Sequence, residues 1–164
     1  MRARYAALLL LLAAGCARHS TGGGAAVQLF VSPACPIANR YAPEIARIAA
    51  RFAGRIELLL VYPDSSDDEM SAHRRAYALS TLPAVRDPKH ELVARAHAEV
   101  TPEAALFRGD TLLWHGRIDD RYADVAHERP APTTHDLEDA IAALVDGRTL
   151  PPAHPAVGCA IELR

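Results

Sequence analysis

The sequence lacks an excess of either charge. Its formal net charge is −2 at pH 7, from 18 basic and 20 acidic residues. Lys89 is the single lysine, and the arginines are scattered along the chain instead of forming a basic cluster. Half of all residues are apolar. This balance excludes both a surface built for nucleic acid and a disordered acidic chain.

The chain also lacks the spacings of common metal sites. No two of its histidines form a His-x-x-x-His motif, and its three cysteines form no Cys-x-x-Cys motif, so no zinc site is predicted. The acidic run at residues 67–69 lacks the glycine and the closing glutamate of an EF-hand calcium loop. We therefore predict no bound metal and no other cofactor.

The apolar run near the start is too short to cross a bilayer. Residues 5–14 carry no charge, whereas a membrane-spanning helix needs about 20 residues. With the basic residues before it, this run predicts an export signal over residues 1–15. Its end, Leu-Ala-Ala-Gly before Cys16, resembles a bacterial lipoprotein signal. The resemblance implies lipidation of Cys16 and a membrane anchor on the extracytoplasmic, periplasmic side of the cell envelope. Plain secretion is the alternative.

Composition divides the remaining chain into three parts. Residues 16–26 are small or polar after Cys16 and predict a flexible tether. Residues 27–146 suffice for one domain with one core. Residues 147–164 contain several prolines and predict an extended C-terminal tail that carries Cys159.

Strand and helix patterns alternate within the predicted domain, which indicates the α/β class. The predicted strands are 27–31, 56–62, 84–86 and a hairpin at 100–107 and 111–116. The first predicted helix follows Cys35, the second runs from 67 to about 80, and the third runs from 90 to 99. The last ends before Gly147, with Leu137, Ile141, Leu144 and Val145 on its apolar face.

The strongest functional signal lies where the first strand meets the first helix. A Ser-Pro turn places Cys35 at the helix N-terminus, where unpaired N–H groups and the helix dipole favour an anion. The pKa of the thiol should therefore fall below its free value of about 8.5. Pro36 fits the first helical turn, whereas Pro43 removes a hydrogen bond inside the helix and should kink it there. A buried cysteine without chemistry is the alternative.

These residues resemble the active-site corner of the thioredoxin superfamily. Cys35, Pro36 and Pro43 match its pattern, while Ala38 stands where the second cysteine of Cys-x-x-Cys would be. Residues 35–45 have the sequence Cys-Pro-Ile-Ala-Asn-Arg-Tyr-Ala-Pro-Glu-Ile. This segment more closely resembles bacterial peroxiredoxin-like redoxins that keep only the first cysteine. The resemblance implies a thioredoxin-like fold, with a central mixed β-sheet and helices on both faces. It also implies that Cys35 is the nucleophile of thiol-disulfide exchange.

A Thr-Pro pair precedes the predicted hairpin. Thr101 and Pro102 resemble the cis-proline loop of thioredoxin-like proteins. The resemblance implies that this loop faces Cys35 and, together with Pro36, binds an extended substrate. An ordinary trans proline at the start of an edge strand is the alternative.

A charged stretch follows the hairpin. If the second hairpin strand returns to the Cys35 end of the sheet, it brings Arg117, Asp119, Asp120 and Arg121 beside the cysteine. Either arginine could then lower the thiol pKa, and either aspartate could relay a proton. A surface loop of mutually paired charges is equally consistent with the pattern.

Cys159 is a candidate for the missing second thiol. Lipidation of Cys16 would leave Cys35 and Cys159, and an even pair in an exported protein suggests a disulfide. The tail from 147 to 159 can span on the order of 40 Å and so return to Cys35. Cys159 could then resolve a mixed disulfide. A permanent disulfide without turnover and a free thiol are alternatives.

Together these features predict an exported, membrane-tethered thiol-disulfide oxidoreductase that acts on exported protein thiols or disulfides, or on a redox donor. One alternative is a binding module without turnover, which could hold copper through Cys35 and one of His115, His127 or His135. A second alternative is a thiol peroxidase, because Ser32 precedes Cys35 in a Ser-x-x-Cys motif. The proline expected before that motif is replaced by Gln28.

Overall fold

The computed structural model describes residues 24–162. The predicted export segment 1–15, Cys16 and most of the predicted tether lie outside the described residues. The strands are β1 (Ala25–Phe30), β2 (Glu57–Tyr62), β3 (Ala84–Arg86), β4 (Val100–Thr101), β5 (Glu103–Arg108), β6 (Thr111–Gly116), β7 (Tyr122–Asp124), β8 (His127–Glu128) and β9 (Cys159–Ala160). The helices are α1 (Pro36–Arg51), α2 (Asp67–Ala76), α3 (Glu91–Ala96) and α4 (Asp136–Val145).

Five strands form a central sheet in the order β3-β2-β1-β5-β6. β1, β2 and β3 are parallel, whereas β5 runs antiparallel to β1 and β6 antiparallel to β5. The sheet is therefore mixed, as predicted. β1 lies at its centre, where Val27 pairs with Leu58 on one side and Leu106 on the other.

Helices cover both faces of this sheet. On one face the apolar sides of α1 and α4 pack on the strands, with Ile45 and Ile141 fully buried. On the other face Val93 and Ala96 of α3 pack against Phe30 and other strand residues. The predicted α/β class with helices on both faces is confirmed. No helix among residues 24–162 combines the length and the apolar character needed to cross a membrane.

Helix α1 starts where its sequence pattern predicts. Cys35 is its N-cap and Pro36 its first residue, a position that needs no N–H donor. Tyr41 and Ile48 lie on the buried face. The helix passes through Pro43 without ending.

Helices α2 and α3 are shorter than predicted. Ala78 follows α2 with φ of 56°, and the Leu79 N–H donates to the Arg74 carbonyl at 2.8 Å. His97 follows α3 with φ of 55°. Residues in the left-handed conformation often end helices and are usually glycine. Because these positions hold alanine and histidine, the sequence did not predict that the helices end there.

The predicted tether and tail both contribute to the folded domain. β1 begins at Ala25, two residues before the predicted domain start, because Ala25 pairs with Arg108 through its backbone, whatever its side chain. The tail runs back across the molecule, where the Arg117 N–H donates to the His154 carbonyl at 3.0 Å. Its strand β9 then pairs antiparallel with β4.

Candidate active site

Cys35 is buried at the point predicted for a reactive thiol. Its Sγ accepts a hydrogen bond from the Ala38 N–H at 3.4 Å, which satisfies one free donor of α1. In its protonated form the thiol donates to the Thr101 carbonyl at 2.8 Å. The side chain is only 1% exposed. The helix start and the loop before β5 therefore meet at this sulfur.

The predicted proline loop lies against Cys35. The Thr101–Pro102 peptide bond is cis, as predicted, and both residues are buried. Pro36 is exposed instead and lines a neighbouring groove with Arg40 and Arg121. The structure thus brings Thr101 to the sulfur and places Pro36 on the outer side of the helix start.

The tail brings Cys159 to the same place. Cys159 lies opposite Thr101 in the pairing of β9 with β4, and its side chain lines the same small cavity as Cys35. Both cysteines are free thiols in this structure. A small cavity of about 180 Å³ lies beside them and is also lined by Ser32 and Ile161.

The two thiols have opposite pKa shifts. Burial by itself would raise the pKa of Cys35, but hydrogen bonding from the Cys159 side chain, the Ala38 amide and the Thr101 side chain outweighs it and holds this pKa below its ordinary value. Burial, together with the hydrogen bond and negative charge of Cys35, raises the pKa of Cys159 to about 11. Cys35 is therefore the more acidic thiol of the pair, and Cys159 the less acidic one.

A buried polar chain behind the active-site turn was not predicted. Asn39 donates to the Pro33 carbonyl at 3.1 Å, just before Cys35. Its side-chain oxygen lies 2.9 Å from Nε2 of His73, and Nδ1 of His73 lies 2.8 Å from the Tyr62 hydroxyl. Burial lowers the pKa of His73, which favours the neutral ring with one donor and one acceptor nitrogen. The period of α2 could have placed His73 on the inner face, but not its partners.

The charged stretch after β6 makes contacts of its own. Asp119 accepts hydrogen bonds from the Tyr41 hydroxyl and the Arg121 amide. Arg117 forms an ion pair with Asp136 at 3.1 Å. These contacts join the stretch to α1 and α4.

Asp120 is held in the same stretch by the loop before α4. Although burial opposes ionisation, hydrogen bonds from Thr133 and Thr134, together with the nearby Arg129 charge, keep the pKa of Asp120 well below its usual range. Among the described residues, the hydrogen bonds and ion pairs of all four predicted charged residues go to groups other than Cys35.

The histidines considered as copper ligands lie in other surroundings. His115 faces Glu103 at 3.3 Å, and His127 faces Asp124 at 2.8 Å. Over residues 24–162, one group of three potential ligands is close enough to share a cation, namely Glu44, Asp119 and His135, and it does not include Cys35. Ser32 of the Ser-x-x-Cys motif accepts the Ala34 N–H at 3.3 Å.

No family model and no curated protein matches the sequence. Solved structures match the fold. An uncharacterized conserved protein from Geobacillus kaustophilus is 22% identical with a TM-score of 0.75, covering 87% of this chain and 78% of that one. A secreted Mycobacterium tuberculosis disulfide oxidoreductase homologous to E. coli DsbE is 22% identical with a TM-score of 0.55, covering 76% and 84%.

The exposed lipoprotein thioredoxin of Streptococcus pneumoniae is 17% identical with a TM-score of 0.54, covering 76% of this chain and 85% of that one. These proteins are similar to this chain in fold, while their sequences are at most 22% identical to it. The observed sheet, the cis Thr101–Pro102 bond and Cys35 at the start of α1 agree with the family resemblance predicted from the sequence. The chain has a thioredoxin-like fold.

Proposed function

We propose that this protein is an exported, lipid-tethered thiol-disulfide oxidoreductase of the cell envelope. Cys35 is its nucleophile and Cys159 its resolving cysteine. Thr101 and Pro102 form the inner wall of the site and Pro36 its outer rim. Its partners are thiols and disulfides of other exported proteins, or a redox donor.

The observation that carries this proposal is the meeting of the two cysteines at one small cavity. Cys35 sits at a helix N-terminus with hydrogen bonds that favour the thiolate, and Cys159 lines the same cavity although it is far away in sequence. A low pKa makes Cys35 the attacking group. The raised pKa of Cys159 keeps this second thiol protonated until the first has reacted.

The exchange has two balanced steps. The Cys35 thiolate attacks one sulfur of a substrate disulfide, so the substrate S–S bond breaks and its leaving thiolate takes a proton from solvent. Cys159 then loses its proton and attacks the Cys35 sulfur, which releases the second substrate thiol. The substrate gains two electrons, and a Cys35–Cys159 disulfide forms. An external dithiol donor must reduce this disulfide to restore the protein.

Two kinds of likeness support this assignment. The fold neighbours include a protein described as a secreted disulfide oxidoreductase and another described as an exposed lipoprotein thioredoxin. The Leu-Ala-Ala-Gly-Cys16 ending of the export segment is consistent with a lipid anchor.

The stoichiometry of exchange tests the proposal. When the reduced chain carrying Cys16→Ser is treated with excess dithiobis(nitrobenzoate), the first attack releases one thionitrobenzoate and resolution by Cys159 releases another. Non-reducing digestion should then yield a peptide that links Cys35 to Cys159. With Cys159→Ser added, only one thionitrobenzoate should be released, and a mixed disulfide should persist on Cys35.

The matched control adds Cys35→Ser to the chain carrying Cys16→Ser. Its Cys159 should react slowly, because burial raises the pKa of this thiol and its partner nucleophile is absent. Suppose that the chain with both Cys35 and Cys159 released two thionitrobenzoates but kept a thionitrobenzoate group on each cysteine. Cys159 would then not be the resolving residue. An unreactive Cys35 would reject the oxidoreductase assignment itself.

A further inference from the structure

The tail already fills a strand-pairing edge beside Cys35. Cys159 lies opposite Thr101 and Ala160 opposite Val100, in antiparallel register. The Ile161 N–H extends the pairing by donating to the Glu99 carbonyl at 2.9 Å. This edge therefore binds an extended backbone, and side-chain fit decides which backbone it accepts.

The position before the cysteine has no room for a side chain. A Cβ built on Gly158 would lie 2.1 Å from the Thr101 carbonyl oxygen and 2.6 Å from its carbon. Both are backbone atoms, so neither can rotate away as a side chain could. Any strand that places a cysteine opposite Thr101 in this register must therefore carry glycine immediately before it.

The position two residues after the cysteine requires an apolar side chain. Ile161 is 8% exposed and joins the apolar cluster on the α3 face of the sheet. Phe30, Val61, Val93 and Phe107 belong to the same cluster. A charged side chain here would lose its hydration without gaining a partner.

We propose that the edge 99–101 and this apolar pocket form a peptide-binding site for extended polypeptides of the pattern Gly-Cys-x-aliphatic. The tail segment 158–161, Gly-Cys-Ala-Ile, is its resident occupant. This inference rests on the proposed oxidoreductase function and names the substrate class of its site. Substrate and tail bind the same edge, so they exclude each other.

This exclusion couples resolution to release. Cys35 attacks the substrate cysteine that lies opposite Thr101, and the partner sulfur of that cysteine leaves as a thiolate. The tail then returns to the edge, Cys159 attacks the Cys35 sulfur, and the substrate cysteine leaves as a thiol. The electrons balance as in the exchange described above, and a dithiol donor restores both cysteines.

Three peptide disulfides test this specificity. Peptides containing Gly-Cys-Ala-Ile, Ala-Cys-Ala-Ile or Gly-Cys-Ala-Asp, each with its cysteine joined to thionitrobenzoate, are added to the full chain carrying Cys16→Ser and Cys159→Ser. Thionitrobenzoate release gives the rate, and mass spectrometry identifies the peptide bound to Cys35. The first peptide should react roughly tenfold faster, or more, than either of the others. The alanine of the second peptide would overpack against the Thr101 backbone, and the aspartate of the third would bury a charge, and either effect should slow the reaction by more than about tenfold.

A change in the tail provides a second measurement. Adding Ile161→Asp should weaken the resident strand and speed the reaction with Gly-Cys-Ala-Ile. Glu57→Gln, a change at an exposed residue at the start of β2 and outside the cavity beside Cys35, should leave that rate unchanged. A decrease, or no change, in the rate on Ile161→Asp would contradict competition by the tail.

Two outcomes separate this inference from the function on which it rests. Equal rates for the three peptides, with Cys35 reactive, would overturn the Gly-Cys-x-aliphatic specificity and leave the oxidoreductase proposal standing. If Cys35 reacted neither with the peptides nor with free dithiobis(nitrobenzoate), the oxidoreductase proposal would fail and take this inference with it.

Discussion

At the scale of single residues, the two cysteines differ in what surrounds each sulfur. Hydrogen bonding from the first turn of α1 and from Cys159 favours the Cys35 thiolate, whereas burial and the hydrogen bond and charge of Cys35 keep Cys159 protonated. Hydrogen bonds to the charged form lower a pKa, and nearby negative charge raises one. The difference in roles therefore follows from position and not from residue type.

Replacing Cys159 should raise the pKa of Cys35. Cys159→Ala removes a hydrogen-bond donor to the thiolate while burial by the surrounding strand persists, so ionisation of Cys35 should move to higher pH. Cys159→Ser keeps a hydroxyl donor and should show a smaller rise. The measurement is ultraviolet absorbance of the thiolate against pH in the full chain, with Cys35→Ser variants as blanks.

An unchanged or lower Cys35 pKa in the Cys159→Ala variant would mean that Cys159 does not support the thiolate. An equal rise in both variants would trace the effect to a disturbed strand instead of a lost donor.

At the scale of elements, the short helix α3 depends on an acid outside it. Asp87 is buried and its carboxylate accepts hydrogen bonds from the N–H groups of Glu91, Leu92 and Val93 at 2.9 Å. His90, at the N-cap position, makes no side-chain cap bond. Since six residues cannot form a stable helix alone, this carboxylate holds α3 against the sheet.

Asp87→Ala should destabilise the protein by about 2 kcal/mol, because three amides lose a charged acceptor. Asp68→Ala is the matched control, since Asp68 is exposed in the first turn of α2, and should cost at most a few tenths of a kcal/mol. Urea unfolding of both variants measures the difference. Equal losses would show that α3 does not depend on Asp87.

At the scale of the whole molecule, attachment and chemistry belong to different parts of the chain. The described domain holds the sheet, the thiol pair and the tail, whereas the proposed anchor is Cys16. The proposed reaction therefore takes place in a domain joined to its anchor by a short segment of small residues.

Cys16→Ser should abolish membrane retention without changing the reaction of Cys35, because lipidation requires the Cys16 thiol. Partition of the expressed protein into detergent measures retention, and Cys35→Ser is the matched control that should stay with the membrane. Detergent partition that persisted after Cys16→Ser would reject the lipid anchor and favour another mode of association.

The sequence by itself determined the features that depend on neighbours along the chain. The apolar spacing of α1, Pro36 in its first turn and the position of Cys35 before it are local, and they predicted the start of the helix correctly. The alternation of strands and helices gave the fold class, because each pattern repeats within a few residues. The cis Thr101–Pro102 bond was predicted from a resemblance, not from local physics.

Tertiary structure decided whatever depends on residues that are distant in sequence. Asn39, His73 and Tyr62 form one chain only because α1, α2 and β2 converge. The sequence left Cys159 open as a resolving thiol, a permanent disulfide or a free thiol. Its place beside Cys35 depends on Gly158, whose missing side chain lets the tail approach the Thr101 backbone. No pattern in residues 147–164 could show that contact, because the surface that requires a glycine belongs to another strand.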